Sequence, residues 1–233
     1  MTESAAPLPL PRQILTDGVY EAAKELVMDQ HIEPGARVNI DRLARQLNVS
    51  PTPVREALAR LEMDGLVIKE PLRGYSIAPL LDAVAFDDLY DVRLLLEPFA
   101  ARRASERGGK ELVAVLSREI ADMRQTHKSA EGGMATYREY RSFKWQDARF
   151  HDAIAEASGN PLLRGTLARL RSHLHLYRLY YAVGLGSETI AEHEKILAAI
   201  IAHRPEDAAK AMTDHLRRSR ARLAVDVPNR APS

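Results

Sequence analysis

Val49-Ser50-Pro51-Thr52-Pro53-Val54-Arg55-Glu56-Ala57-Leu58 decides the fold, because it reads as the opening of a helix with two unlike faces. Ser50 can accept hydrogen bonds from the free backbone donors at a helix start. Pro51, at the first helical position, forfeits only a bond that would be missing anyway. Val54, Ala57, Leu58 and then Leu61 recur at helical spacing and form a buried stripe, with Gly65 as the stop. Thr52 and Arg55 are left on the outward side.

Upstream, Ile40 to Leu47 reads as a short helix burying Leu43, Ala44 and Leu47. Asn48 follows where a helix often ends in the left-handed conformation. Earlier still, Leu15, Val19, Ala22 and Leu26 have helical spacing, Tyr20 and Val27 widen that stripe, and Glu33-Pro34-Gly35 closes it with a turn. Downstream, Leu66 to Lys69 and Tyr75 to Ile77 flank the turn Pro71-Leu72-Arg73-Gly74, the pattern of a β-hairpin. Three helices and a hairpin within about 65 residues make a winged helix-turn-helix.

Such a module sets its second helix in the major groove of double-stranded DNA, with the N-terminal residues of that helix towards the base edges. Arg55 can make a bidentate contact to guanine, worth about 1–3 kcal/mol of discrimination. Ser50 and Thr52 suit phosphate oxygens, and Arg73 and Gly74 at the hairpin tip can meet the minor groove or the backbone. Arg42 and Arg45 read as a solvated face. Charge contributes little: residues 11–79 hold nine basic and ten acidic side chains, so positive charge has to lie on one face.

The whole chain has 233 residues and a formal net charge of +1, with 45% hydrophobic and 28% charged residues, as in an ordinary soluble protein. It contains no cysteine, which excludes disulfides, thiolate metal sites and a cysteine nucleophile, and it permits a reducing cytoplasm. No apolar run reaches the roughly 18 residues of a membrane span, and the first residues do not read as a secretory signal. A cytoplasmic protein without a membrane partner is expected.

Beyond Pro79 no strand is evident. Helical stretches near 82–107, 110–129, 134–158, 160–183, 187–203 and 205–224 are separated by glycine and proline signals. The expected organisation is a disordered arm over 1–11, the winged module over 12–79, an all-α bundle of about six helices over 80–225, and a tail over 226–233. The chain is therefore mostly α.

Asp147 and His151 are four apart and share one helical face, while His193 and His215 fall on two later helices. By spacing alone, a metal centre in the bundle and unrelated surface residues both remain open. The adjacent His151-Asp152 pair would also suit a metal-dependent phosphohydrolase of the HD type. That reading leaves the winged module without a purpose, so no enzyme is expected. Arg217-Arg218-x-Arg220-x-Arg222 reads as a solvated face. In the run from His173 to Tyr181, Arg178 and Tyr181 suit an effector cavity and a subunit contact equally well.

The ten residues quoted first, with Leu61-Glu62 and Gly65-Leu66-Val67, resemble the GntR family of bacterial transcription regulators, whose signature is close to V-S-R-T-P-V-R-E-A-L. The departure is Pro51, where the family usually has Arg, which shifts base reading towards Arg55. Asp147-Ala-Arg-Phe150-His151, Ser158-Gly159-Asn160, Glu192-His193, His215-Leu216 and Arg93-Leu-Leu-Leu-Glu97 are similar to the FCD ligand domain of the FadR-like subfamily. The resemblance implies a divalent metal of the zinc or nickel kind held by Asp147, His151, His193 and His215. It also implies a small carboxylate effector that completes the coordination. Arg93 matches a position near that cavity, where it would pair with the effector, or else with Glu97. The expected function is a DNA-binding repressor acting as a homodimer on a two-fold operator. A regulator that senses the metal itself is the alternative.

Overall fold

A computed structural model describes residues 12–29, 31–130, 137–170 and 186–224. The chain divides between Pro79 and Leu80 into two compact units. The first contains α1 (Arg12–Met28), β1 (Arg37–Val38), α2 (Ile40–Gln46), α3 (Pro51–Met63), β2 (Val67–Glu70) and β3 (Gly74–Ile77). The second contains α4 (Ala83–Arg107), α5 (Lys110–Ala130), α6 (Tyr137–Ala157), α7 (Pro161–Leu170), α8 (Ser187–Ile201) and α9 (Pro205–Leu223). The expected mostly helical architecture is what the structure has, with nine helices and a three-stranded sheet among the described residues.

In the first unit α2 begins on Asn39, whose side chain accepts from the Arg42 backbone at 2.9 Å. The helix-turn-helix bend follows from Asn48, which takes a positive φ of 54° and lets Val49 donate back to the Ala44 carbonyl. Val54, Ala57, Leu58 and Leu61 are all buried, and they meet Leu43, Ala44, Leu66, Val67 and Ile77 in one core. α1 packs on α3, with Arg60 over the Tyr20 ring at 4.0 Å and paired with Asp17 at 2.6 Å. The Tyr20 hydroxyl donates to Asp64.

Three details depart from the sequence reading. The buried stripe of α1 runs through Thr16, Val19, Tyr20, Ala23 and Val27, whereas Ala22 and Leu26 sit at its half-exposed edge. Leu47 is likewise only half buried, because it lies past the last turn of α2. The sheet also gains β1, which pairs antiparallel with β3 through Arg37 opposite Ser76 and Val38 opposite Tyr75. Two residues are too few to show a period of two, so this strand leaves no pattern in the sequence.

In the second unit α4 packs most extensively on α9, and α5 on α6. Asp82 caps α4 by accepting from the Ala85 backbone at 2.8 Å. Phe86, Tyr90, Leu116, Phe143, Phe150, Ile196, Met212 and Leu216 are almost wholly buried and fill the centre of the bundle. Tyr90 reaches Ser219 of α9 at 2.8 Å. The turn between α6 and α7 is set by Gly159 at φ 67°, and Asn160 accepts from the Leu162 and Leu163 backbones to start α7. No described helix is long and apolar enough to cross a membrane.

Candidate functional site

Two groups of side chains stand out, one in each unit. At the start of α3, Ser50, Thr52 and Arg55 are all exposed. Ser50 occupies the cap position with extended backbone, yet its side chain makes no capping bond, contrary to expectation. Pro51 and Pro53 carry no N–H, so the Thr52 N–H is the one backbone donor among the first three helical residues. The Ser50 hydroxyl and this amide therefore stay available to an anion at the positive end of the helix. Arg55 makes no ion pair among the described residues. Arg73 is 69% exposed, 4.0 Å from Glu70, beside Gly74 at φ 88°.

In the second unit four side chains from three helices converge. Asp147 and His151 project from one face of α6, His193 from α8 and His215 from α9, and one donor atom of each lies within 4.8 Å of all the others. His193 Nε2 is 3.4 Å and His151 Nε2 3.9 Å from Asp147 Oδ1. Ligands about 2.1 Å from a tetrahedral ion would stand roughly 3.4 Å apart, so a modest contraction would seat one. Both ring nitrogens of His193 are buried without a hydrogen-bond partner, although the ring is stacked on Phe150 at 4.0 Å. Buried unpaired nitrogens are costly unless something binds them, and this residue set fits a divalent cation.

The electrostatics agree with that fit. Burial alone would raise the Asp147 carboxyl, but His151, His193 and Lys144 outweigh it and hold the group well below the usual carboxylate range. Burial pushes His193 well below the ordinary histidine value, with His215 adding to the effect. Burial also lowers His215, against the opposing pull of Glu192. An ionised Asp147 facing rings of His193 and His215 that favour the neutral form suits metal ligation.

Glu97, which the sequence offered as a partner of Arg93, and Glu192 and Arg222, to which it gave no site role, complete the surroundings. Glu97 of α4 meets His151 Nδ1 at 2.5 Å, off the ring's N–H direction, and receives the Arg93 Nε at 2.6 Å. Glu192 of α8 lies 2.9 Å from His215 Nδ1 and is gripped by both terminal nitrogens of Arg222, at 2.7 and 2.9 Å. Burial would raise the Glu192 carboxyl, but the bonds from Arg222 and His215 bring it down to about 2.

Arg222 therefore does not belong to a solvated face, and neither does Arg220, which pairs with Asp87 and Asp91 of α4. Alternate arginines on one helix resemble an exposed basic stripe, and only the packing of α9 on α4 and α8 reveals their partners. Arg93 is 4% exposed and committed through its Nε to Glu97, while its terminal nitrogens make no hydrogen bond among the described residues. Arg178 and Tyr181 lie outside the described residues. Asp152 points away from the cluster to Arg164, at 2.8 Å on the surface, so His151 and Asp152 do not form a joint site.

A winged helix-turn-helix with an exposed helix start, followed in the chain by a helical domain with a buried carboxylate–histidine cluster, is the organisation of a DNA-binding transcription regulator. Residues 15–77 match the bacterial regulatory proteins of the gntR family and residues 88–218 match the FCD domain, so the chain belongs to the GntR family. It is 31% identical over 228 residues to the Uxu operon transcriptional regulator of Escherichia coli (strain K12), covering 86% of this chain and 83% of that one. It is 30% identical over 166 residues to the gluconate operon transcriptional repressor of Bacillus licheniformis, covering 71% and 64% of the two chains. The solved structure of E. coli McbR/YncC is similar over 90% of this chain and 96% of that one, with a TM-score of 0.70 and 25% identity. These relatives are transcription regulators, and the chain is not an enzyme.

Proposed function

We propose that this regulator is a repressor that acts as a homodimer, and that a small carboxylate bound at a divalent cation sets its affinity for a two-fold operator. Asp147, His151, His193 and His215 would hold the cation, of the zinc or nickel kind. The observation that carries this reading is the convergence of their four donor atoms within 4.8 Å, with His193 otherwise unpartnered. When bound, the cation supplies a Lewis-acidic position for a carboxylate oxygen. Asp147 and His151 are the partly exposed members of the set, so a ligand would approach from their side. Arg93 supports the carboxylate reading, since its terminal nitrogens make no hydrogen bond among the described residues and could pair with such a group.

Repression is supported by the likeness to the gluconate operon repressor, and dimerisation by the two-fold symmetry that paired DNA-reading heads require. Thr52, Ser50, Arg73 and Gly74 would position the backbone, and Arg55 would read a base. The test is elemental analysis of the purified chain with Asp147→Ala and His193→Ala, followed by operator gel shifts with a panel of small carboxylates. About one ion per chain, lost in both variants, and a carboxylate that shifts operator affinity in the wild type alone would support the reading. No bound ion after reconstitution would overturn it.

A further inference from the structure

The wall of the centre formed by α8 and α9 contains a connected series, Arg222 to Glu192 to His215, that the ligand set does not include. Arg222 places Nη1 on Glu192 Oε1 at 2.7 Å and Nη2 on Oε2 at 2.9 Å, a two-pronged grip that fixes the carboxylate plane. The same Oε2 lies 2.9 Å from His215 Nδ1. Glu192 is 5% and His215 3% exposed, so water does not compete for either contact. An ionised carboxylate only accepts hydrogen bonds, so the proton of a neutral His215 has to sit on Nδ1. The lone pair is then on Nε2, the nitrogen left to face Asp147, His151 and His193.

We propose that Glu192, held by Arg222, is a positioning residue that locks His215 in its Nδ1–H tautomer and presents Nε2 to the cation. The inference rests on the metal reading above for its purpose, but not for its geometry. The other histidines are arranged differently. His193 is oriented by stacking on Phe150, and His151 meets Glu97 off its N–H direction. The tautomer of His215 is therefore the one that a single, aligned carboxylate determines. Outer carboxylates of this kind commonly change metal affinity by 10- to 100-fold when removed.

The experiment is nitrogen-15 NMR of histidine-labelled full-length protein, metal-free, with zinc affinity measured separately by competition against a chromophoric chelator. In the wild type His215 should show its proton on Nδ1. Glu192→Ala should convert His215 to a mixture or to Nε2–H, leave the signals of His151 and His193 in place, and weaken zinc binding roughly 10- to 100-fold. Glu192→Gln, whose amide oxygen still accepts from Nδ1–H, should keep the tautomer and bind zinc more tightly than Glu192→Ala. A wild-type proton on Nε2 would overturn the proposal, whether or not Glu192→Ala folds. So would an unchanged His215 signal in Glu192→Ala with zinc affinity within about twofold of wild type. A wild-type chain with the Nδ1–H tautomer but no zinc affinity would instead overturn the metal reading and leave the Glu192 lock standing.

Discussion

The rings of Phe150 and His193 lie parallel, 3° apart in plane with centroids separated by 4.0 Å, although one belongs to α6 and the other to α8. Phe150 is a flat buried wall that sets the plane of a histidine no hydrogen bond orients. Phe150→Leu keeps the site apolar and removes the wall. We expect the apo protein to lose about 1–2 kcal/mol of stability, measured by urea unfolding. Zinc affinity should fall by roughly tenfold, measured by chelator competition. Unchanged affinity would mean that packing from elsewhere orients His193.

Arg55 is exposed and makes no ion pair among the described residues, so its replacement by Ala should leave thermal stability within about 0.5 kcal/mol of wild type. Binding to the operator should weaken by roughly 5- to 150-fold, the equivalent of one lost bidentate base contact. Discrimination against the corresponding substituted operator should vanish together with the affinity. Thr52→Ala should instead weaken binding to all duplexes alike, as a phosphate contact would.

On the proposed metal reading, treating the wild-type chain with a strong chelator should lower the melting midpoint of the helical unit and leave that of the winged unit in place. Binding to the folded state at about a thousand times the dissociation constant is worth about 4 kcal/mol, or roughly 8–16 °C for a domain of this size. Differential scanning calorimetry with and without added zinc checks this. Asp147→Ala should show no such response to either zinc or chelator.

Leu72, at the tip between β2 and β3, has φ 62° and a fully exposed side chain. A leucine in the left-handed region gains nothing from packing there and costs about 1 kcal/mol relative to a residue that tolerates it. Leu72→Asn should therefore raise the stability of the winged unit by about 1 kcal/mol, seen as a higher melting midpoint. If the midpoint stays put while operator affinity drops, the leucine is held for DNA contact at no cost to the fold.

The DNA-reading module is legible because its signals are local. Ser50-Pro51, Asn48 and the spacing of Val54, Ala57, Leu58 and Leu61 each act within a few residues. The four candidate ligands are legible for a different reason. Their order and spacing resemble a known domain, and spacing alone could not say that three helices would bring them together. Glu97 is legible as the partner of Arg93, but its contact with His151 escapes both kinds of reading, as do the roles of Glu192 and Arg222. A glutamate on a helix is ordinary until the structure places it behind a histidine, and Arg222 follows a row of arginines that resembles solvated surface. Glu192 did leave one signal, its place beside His193 in a matched segment, but adjacency on a helix points the two side chains along different directions.

Thr52 and Arg55 are exposed on α3 and contribute nothing to the core of the winged unit, whereas His193, His215, Glu97 and Glu192 are all interior to their bundle. The two halves of the protein are therefore unequally free to diverge. A lineage can drift to a new operator through single surface exchanges that leave folding untouched. On the proposed metal reading, acquiring a new effector means altering side chains on which the bundle itself depends, so each such step carries a viability risk. Descendants of this chain should accordingly exchange the side chains that face DNA more readily than those of the buried cluster.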